Sequence, residues 1–144
     1  MTTTINGKAL DAERKLPAPT VYPDNTAFWD ATNGDATNAG KLLIKHCTAC
    51  SKPHWYPRPQ CPFCMSDKTV WKESSGAGTI YTFSVTRRGV PVPYAIAYVR
   101  LDDGVTMLTN IVDCDLDSIR IGARVKVVFR ESDGGPKVPA FTLA

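Results

Sequence analysis

At 144 residues, with 43% hydrophobic and 22% charged side chains, the chain has the size and composition of one ordinary soluble domain, or of two very small modules sharing a core. That balance excludes the fibrous, disordered and membrane-spanning classes. The formal net charge of +3 is unevenly spread: residues 1–40 sum to −2, residues 41–72 to +5, and the remainder balances.

The amino-terminal MTTTINGKALDAERK has no apolar run that could form the centre of a secretory signal, so a cytoplasmic location is expected. The longest stretch free of charged and amide side chains, Gly89 to Val99, is shorter than the roughly 20 residues a membrane span requires and is broken by Pro91 and Pro93. The first 25 residues are polar and interrupted by Pro17, Pro19 and Pro23, and are not expected to join a core. Asp24 and Asn25 are suited to cap a helix, and TAFWDATNG reads as a short helix stopped by Gly34, with Phe28 and Trp29 on its packing face. After the polar DATNAG, the segment KLLIKHC alternates, with Leu42 and Ile44 on one face of a strand that delivers Cys47.

Four of the five cysteines form two CxxC pairs, Cys47/Cys50 and Cys61/Cys64, separated by ten residues. Each pair is a knuckle whose two thiolates converge on one ion, and two knuckles supply the four-sulfur shell of a structural Zn2+. A hairpin through Pro53, Pro57 and Pro59 can span the spacer. Iron in a rubredoxin-like centre fits the same spacing, and redox disulfides or an empty site are further alternatives. His46 and His54 flank the knuckles, but four cysteines complete the shell, so both read as surface or packing histidines. Glycine, which relieves crowding after the second cysteine of a knuckle, is replaced here by Ser51 and Met65, so some strain is expected at both places.

From Thr79 the texture becomes strands at short intervals. TIYTFSVTRR places Tyr81, Phe83 and Val85 on one face; YAIAYVRL places Ala95, Ala97, Val99 and Leu101 on one face; DDG then turns into VTMLTNIVD. IGARVKVVFRE places Val125, Val127 and Phe129 inward, and VPAFTL closes the series. Five strands without a convincing amphipathic helix point to a small closed barrel of OB type, which removes sheet edges. The expected fold is therefore mainly β: an N-terminal extended and helical arm over 1–40, a rubredoxin-like zinc ribbon over 41–72, and a five-stranded OB-fold barrel over 73–144.

No catalyst is legible. Cys114 sits between Asp113 and Asp115, which disfavour a thiolate, and no histidine outside the ribbon is available to pair with it. The GAG at Gly76 to Gly78 lacks the lysine and helix of a phosphate-cradling loop and reads as a turn leading into a strand. A zinc ribbon joined to an OB barrel does suggest single-stranded nucleic acid, which calls for exposed aromatics and a positive groove. Tyr81, Phe83, Tyr94 and Tyr98 lie on strands, but a segment whose charges balance is a poor polyanion binder unless its arginines segregate onto one face.

Taken in order, FW in a short helix, KLLIKHCTAC, YPRPQCPFC, Trp71, GAGTIYTFSV, PYAIAYVRLDDG and IGARVKVVF resemble a family that joins a rubredoxin-like zinc ribbon to an acyl-CoA-associated OB-fold and was formerly classed as a domain of unknown function. The resemblance covers Phe28 to Leu143. It implies a non-catalytic accessory partner of a thiolase-superfamily enzyme: a thiolase, an acyltransferase or a thiolase-like aldolase of steroid side-chain breakdown. It further implies that the small subunit binds the catalytic subunit, helps shape its acyl-CoA channel, and assembles with it two-plus-two. Cys47, Cys50, Cys61 and Cys64 match the family's metal ligands, and Phe28 and Trp29 its helical signature. HWYPRP would present Trp55, Tyr56 and Arg58, the residue types of interface hot spots, alongside the Phe28–Trp29 helix as a partner surface; the alternative is that Trp55 and Tyr56 cover the ribbon's core.

Overall fold

The computed structural model describes residues 14–34 and 40–144, and ahead of them the backbone of two short antiparallel strands, β1 (Thr4–Ile5) and β2 (Lys8–Ala9). The polar DATNAG stretch, apart from Gly40, lies outside the described residues. The chain then forms α1 (Thr26–Asn33) and a three-stranded sheet in the order β4–β3–β5, from β3 (Leu43–Cys47), β4 (Pro53–His54) and β5 (Thr69–Glu73). A closed barrel follows: β6 (Ala77–Thr86), β7 (Tyr94–Leu101), β8 (Thr106–Ile111), β9 (Arg124–Arg130) and β10 (Val138–Leu143). Around the barrel the order is β6–β7–β8–β10–β9 and back to β6, antiparallel except where β10 meets β8 at Phe141 and Ile111. This is the five-stranded OB-fold that the strand spacing predicts.

The alternation of β7 holds: Ala95, Ala97, Val99 and Leu101 are all buried. On β9, Val125 is buried while Val127 and Phe129 are half-buried against the same core. β6 departs from expectation. Ile80 pairs with Val99 and Thr82 with Tyr98, so Tyr81 is an extra residue on a β-bulge. The bulge resets the phase: Gly78 and Ile80 face the core before it, Phe83 and Val85 pack against the core after it, and Tyr81 is 56% exposed rather than sharing their face. Gly78 sits where β6 and β7 approach closely; a Cβ there would lie 2.7 Å from Val99 Cγ1 and 2.8 Å from the Arg100 carbonyl.

The helix packs against β3 and β10. Thr32 Oγ1 donates to the Lys137 carbonyl at 2.7 Å, and the Lys137 N–H donates to Asn33 Oδ1 at 2.9 Å, fastening α1 to the β9–β10 loop. Gly34 ends the helix with φ +62° and an N–H bond to the Ala31 carbonyl. Asn25 stands at the N-cap but does not cap with its side chain. Its Oδ1 accepts from the Tyr22 N–H at 2.7 Å and its Nδ2 donates to Tyr56 Oη at 3.1 Å, so the amide closes the preceding turn and ties it to the ribbon instead. The leader also contributes more than its prolines suggest. Leu16 bridges to Ser132, accepts from the Asp133 N–H at 2.9 Å, and is buried.

Ribbon and barrel share one hydrophobic cluster. It runs from Leu42 and Ile44 on β3, through Phe28 and Trp29, to Ile80, Val99, Met107, Ile111 and Phe141 of the barrel.

A four-cysteine candidate metal centre

The sheet β4–β3–β5 exists to hold two loops at one end. β3 runs Leu43 to Cys47 with Ile44 buried beneath, and Cys47 starts the first loop. There the Ser51 N–H donates to the Cys47 carbonyl at 2.9 Å, and the Cys47 N–H returns a bond to the Lys52 carbonyl at 3.0 Å. The second loop repeats this: Met65 N–H to the Cys61 carbonyl at 2.9 Å, Cys61 N–H to the Ser66 carbonyl at 2.8 Å. Ser51 and Met65 occupy the left-handed region at φ +63° and +66°, which is the strain expected where glycine is missing. Thr48 binds the Lys68 carbonyl through both its N–H and its Oγ1, at 2.8 and 3.0 Å, so the loops are cross-braced.

The four sulfurs of Cys47, Cys50, Cys61 and Cys64 lie within 4.8 Å of one another, and the pairs Cys47–Cys64 and Cys50–Cys61 are both 3.6 Å apart. A tetrahedron of thiolates at the ordinary zinc–sulfur distance of about 2.3 Å has edges of roughly 3.8 Å. The gathered donors therefore suit a single tetrahedral ion. None of the four is in a disulfide.

The electrostatics favour the same conclusion. The backbone N–H of Cys50, opposed by burial and helped by that of Ala49, brings the Cys47 thiol down to about 7. At Cys64 the Ser66 N–H pulls in the same sense, yet burial and the three neighbouring thiols carry it up to about 11, and burial raises Cys50. Four thiols at this spacing cannot all ionise unless a cation sits among them. The Phe63 N–H also reaches Cys61 Sγ at 3.4 Å, and such N–H···S bonds orient thiolate ligands.

Other sequence candidates fall elsewhere. His46 is half-buried on β3 and His54 is buried on β4, and neither belongs to the sulfur cluster. Cys114 packs into the shared core. Phe28 and Trp29 are buried, Trp55 is half-buried against Phe28, and of the proposed partner surface Tyr56, at 41%, and Arg58 are the members that reach solvent. Lys45 is a feature that alternation does not reveal. It is buried, with its Nζ 4.3 Å from the Trp71 ring centre and 3.3 Å from Thr69 Oγ1, because β3 pairing sets it directly opposite Trp71.

Two family models cover the ribbon and the barrel and meet within β5, the last strand of the ribbon sheet. The model described as the ChsH2 rubredoxin-like zinc ribbon domain matches residues 35–70, and that described as the ChsH2 C-terminal OB-fold domain matches residues 71–130. A DUF35 domain-containing scaffold protein of Methanothermobacter thermautotrophicus is 36% identical over 96 residues, covering 62% of this chain and 72% of that protein. The chain belongs to the DUF35 family.

Its likeness extends to larger relatives. A probable enoyl-CoA hydratase alpha subunit of Thermomonospora curvata is 33% identical over 132 residues, which are 89% of this chain but 40% of that protein. This DUF35 chain thus spans well under half the length of that relative. Among solved structures, a chain of the "Ltp2-ChsH2(DUF35) aldolase" superposes with a TM-score of 0.71 at 29% identity, covering 87% of this chain and 98% of that one.

Proposed function

We propose that this DUF35 protein is a non-catalytic accessory subunit of a thiolase-superfamily complex acting on acyl-CoA substrates. The observation that carries the reading is the superposition on a DUF35 chain of an aldolase, because it takes in 98% of that chain: ribbon, helix and barrel together. The hydratase alpha subunit resemblance supports a role beside acyl-CoA chemistry.

Cys47, Cys50, Cys61 and Cys64 would hold a structural Zn2+. A bound ion supplies a cross-link between two loops, and four thiolates leave no open position on it for substrate. The protein's own contribution is then positional. Tyr56 and Arg58, with Trp55, Phe28 and Trp29 packed behind them, form a ribbon surface for the catalytic subunit, and the two chains together bound the acyl-CoA channel. A two-plus-two assembly in the cytoplasm fits this role, reduced thiols being stable in that compartment.

The test is co-purification with a thiolase-like subunit of the native host. The expected result is a complex that survives high salt and buries more than about 1,200 Å² in total. Tight, salt-sensitive binding of a single-stranded oligonucleotide without such a complex would instead assign the barrel to nucleic acid.

A further inference from the structure

The strands β6, β7 and β8 contribute little charge to the outer face of the barrel, which is flanked by the Arg124–Asp102 pair beside Thr79. The strands AGTIYTFSVT, YAIAYVRL and TMLTNI contain no Asp or Glu and a single cation, Arg100, in a chain that is 22% charged. Tyr98 and Leu108 are directly paired across β7 and β8 and are 46% and 52% exposed. Tyr98 also pairs with Thr82 on β6, and at the bulge beside it Tyr81 is exposed as well. The Arg100 guanidinium lies 4.7 Å from the Tyr81 ring centre and joins none of the ion pairs among the described residues. At one end the face is closed by Arg14 of the leader, which covers Tyr94 at 3.8 Å and donates to Asn110 Oδ1 at 2.8 Å.

We infer that this face, through Tyr81, Tyr98, Leu108 and Arg100, docks an apolar surface of the catalytic subunit that carries one carboxylate for Arg100. The inference rests on the accessory-subunit reading above and adds a contact site to it, apart from the ribbon. Charge selects the occupant. A second copy packed on this face would bring a second Arg100, with no acid on β6, β7 or β8 of either copy to answer it. Nucleic acid and anionic lipid each need several cations offered to their phosphates, whereas at this face Arg124 is paired with Asp102 beside Thr79 and Arg14 is laid on Tyr94 and bonded to Asn110. What fits is a protein surface: exposed tyrosines, a leucine and one arginine, depleted of other charge, is the composition of an interface centre. The bulge gives β6 two consecutive outward residues, Tyr81 and Thr82, between the inward Ile80 and Phe83, and so widens the exposed face.

The experiment measures association of the full chain with the thiolase-like subunit of its native host for wild type, Tyr98→Ser and Arg100→Glu. Tyr98, Arg100 and Leu108 are all exposed, so circular dichroism, melting temperature and zinc content should match wild type; Leu108→Thr, with good strand propensity, replaces Tyr98→Ser if that variant does not fold. The expected result is weakening of about thirtyfold or more in each variant, the scale of a hot-spot loss. If wild type binds and the variants bind within about threefold of it, this face is not the docking site and the accessory-subunit reading stands. If wild type binds no thiolase-like subunit, both fall. A homodimer of the isolated chain that Tyr98→Ser dissolves, or oligonucleotide binding that Arg100→Glu abolishes, also overturns the inference by naming a different occupant.

Discussion

The rings of Phe28 and Trp55 lie 5.1 Å apart, centre to centre, so the helix before the ribbon and the loop between its knuckles meet inside one aromatic group. Trp29 at 4.7 Å and Trp71 at 6.4 Å from Phe28 complete it. Because Phe28 is fully buried in the cluster that also holds the barrel residues, it joins three elements that the chain order keeps apart.

Replacing Phe28 with Ala is expected to cost about 3–5 kcal/mol, the range for removing a buried phenyl ring. Urea unfolding followed by tryptophan fluorescence, which reports the ribbon and the helix through Trp29, Trp55 and Trp71, and by far-ultraviolet circular dichroism, to which the barrel strands contribute most, should give coincident transitions in both wild type and variant. Separate transitions would show that the ribbon and barrel do not share one core energetically.

Purified protein is expected to carry about one zinc per chain, measured by elemental analysis. Cys61→Ser should lose it and unfold at lower urea, because the free energy of binding a structural zinc is also folding free energy. Stability unchanged by chelation would overturn the structural role.

The acid behaviour of the ribbon should show the buried His54. Burial, with the nearby Lys45 charge adding to it, holds its pKa below the usual 6.5, so the folded state resists protonation while the unfolded chain accepts a proton. Stability from the neutral ring is therefore complete above pH 6.5 and declines as pH falls below that value. His54→Phe, which fills the site without a titrating group, should gain on wild type as pH drops from 7 to 5. Cysteine protonation is common to both proteins and cancels in the difference. A difference that stays flat across this range would remove His54 from the account.

Arg58→Ala should weaken association with the catalytic subunit by about 2 kcal/mol if the ribbon surface is a hot spot. Its zinc content should equal that of wild type, since Arg58 is no ligand; titration calorimetry and metal analysis on one preparation read both. Unchanged affinity would confine the contact to other faces.

The parts of the fold readable from the chain are those set by local chemistry. The run of Ala95, Ala97, Val99 and Leu101 identifies β7 because side chains alternate across any strand, and the spacing of Cys47, Cys50, Cys61 and Cys64 identifies the sulfur cluster because a CxxC loop converges its two thiols wherever it occurs. Ser51 and Met65 betray their left-handed backbone by standing where glycine is favoured. The hidden parts depend on partners distant in sequence. Tyr81 leaves the face of Phe83 because β7 offers one residue fewer than β6 presents, and only the pairing reveals that count. Leu16 is paired with Ser132 and buried, and the Asn25 amide, its Oδ1 taken by the Tyr22 N–H, reaches with its Nδ2 to the Tyr56 hydroxyl. No local rule contains Ser132 or Tyr56 as neighbours of these residues.

The two knuckles share a backbone design but not a depth. Cys47 and Cys61 are sealed, Cys50 is half-covered, and Cys64 faces solvent. For an ion held among them, this gradient would supply a door: Cys64 would be the ligand a chelator or competing metal meets first, with Cys47 and Cys61 the most shielded. Metal exchange would then be expected to respond to substitution at Cys64 before it responds to changes in the stability of the whole ribbon.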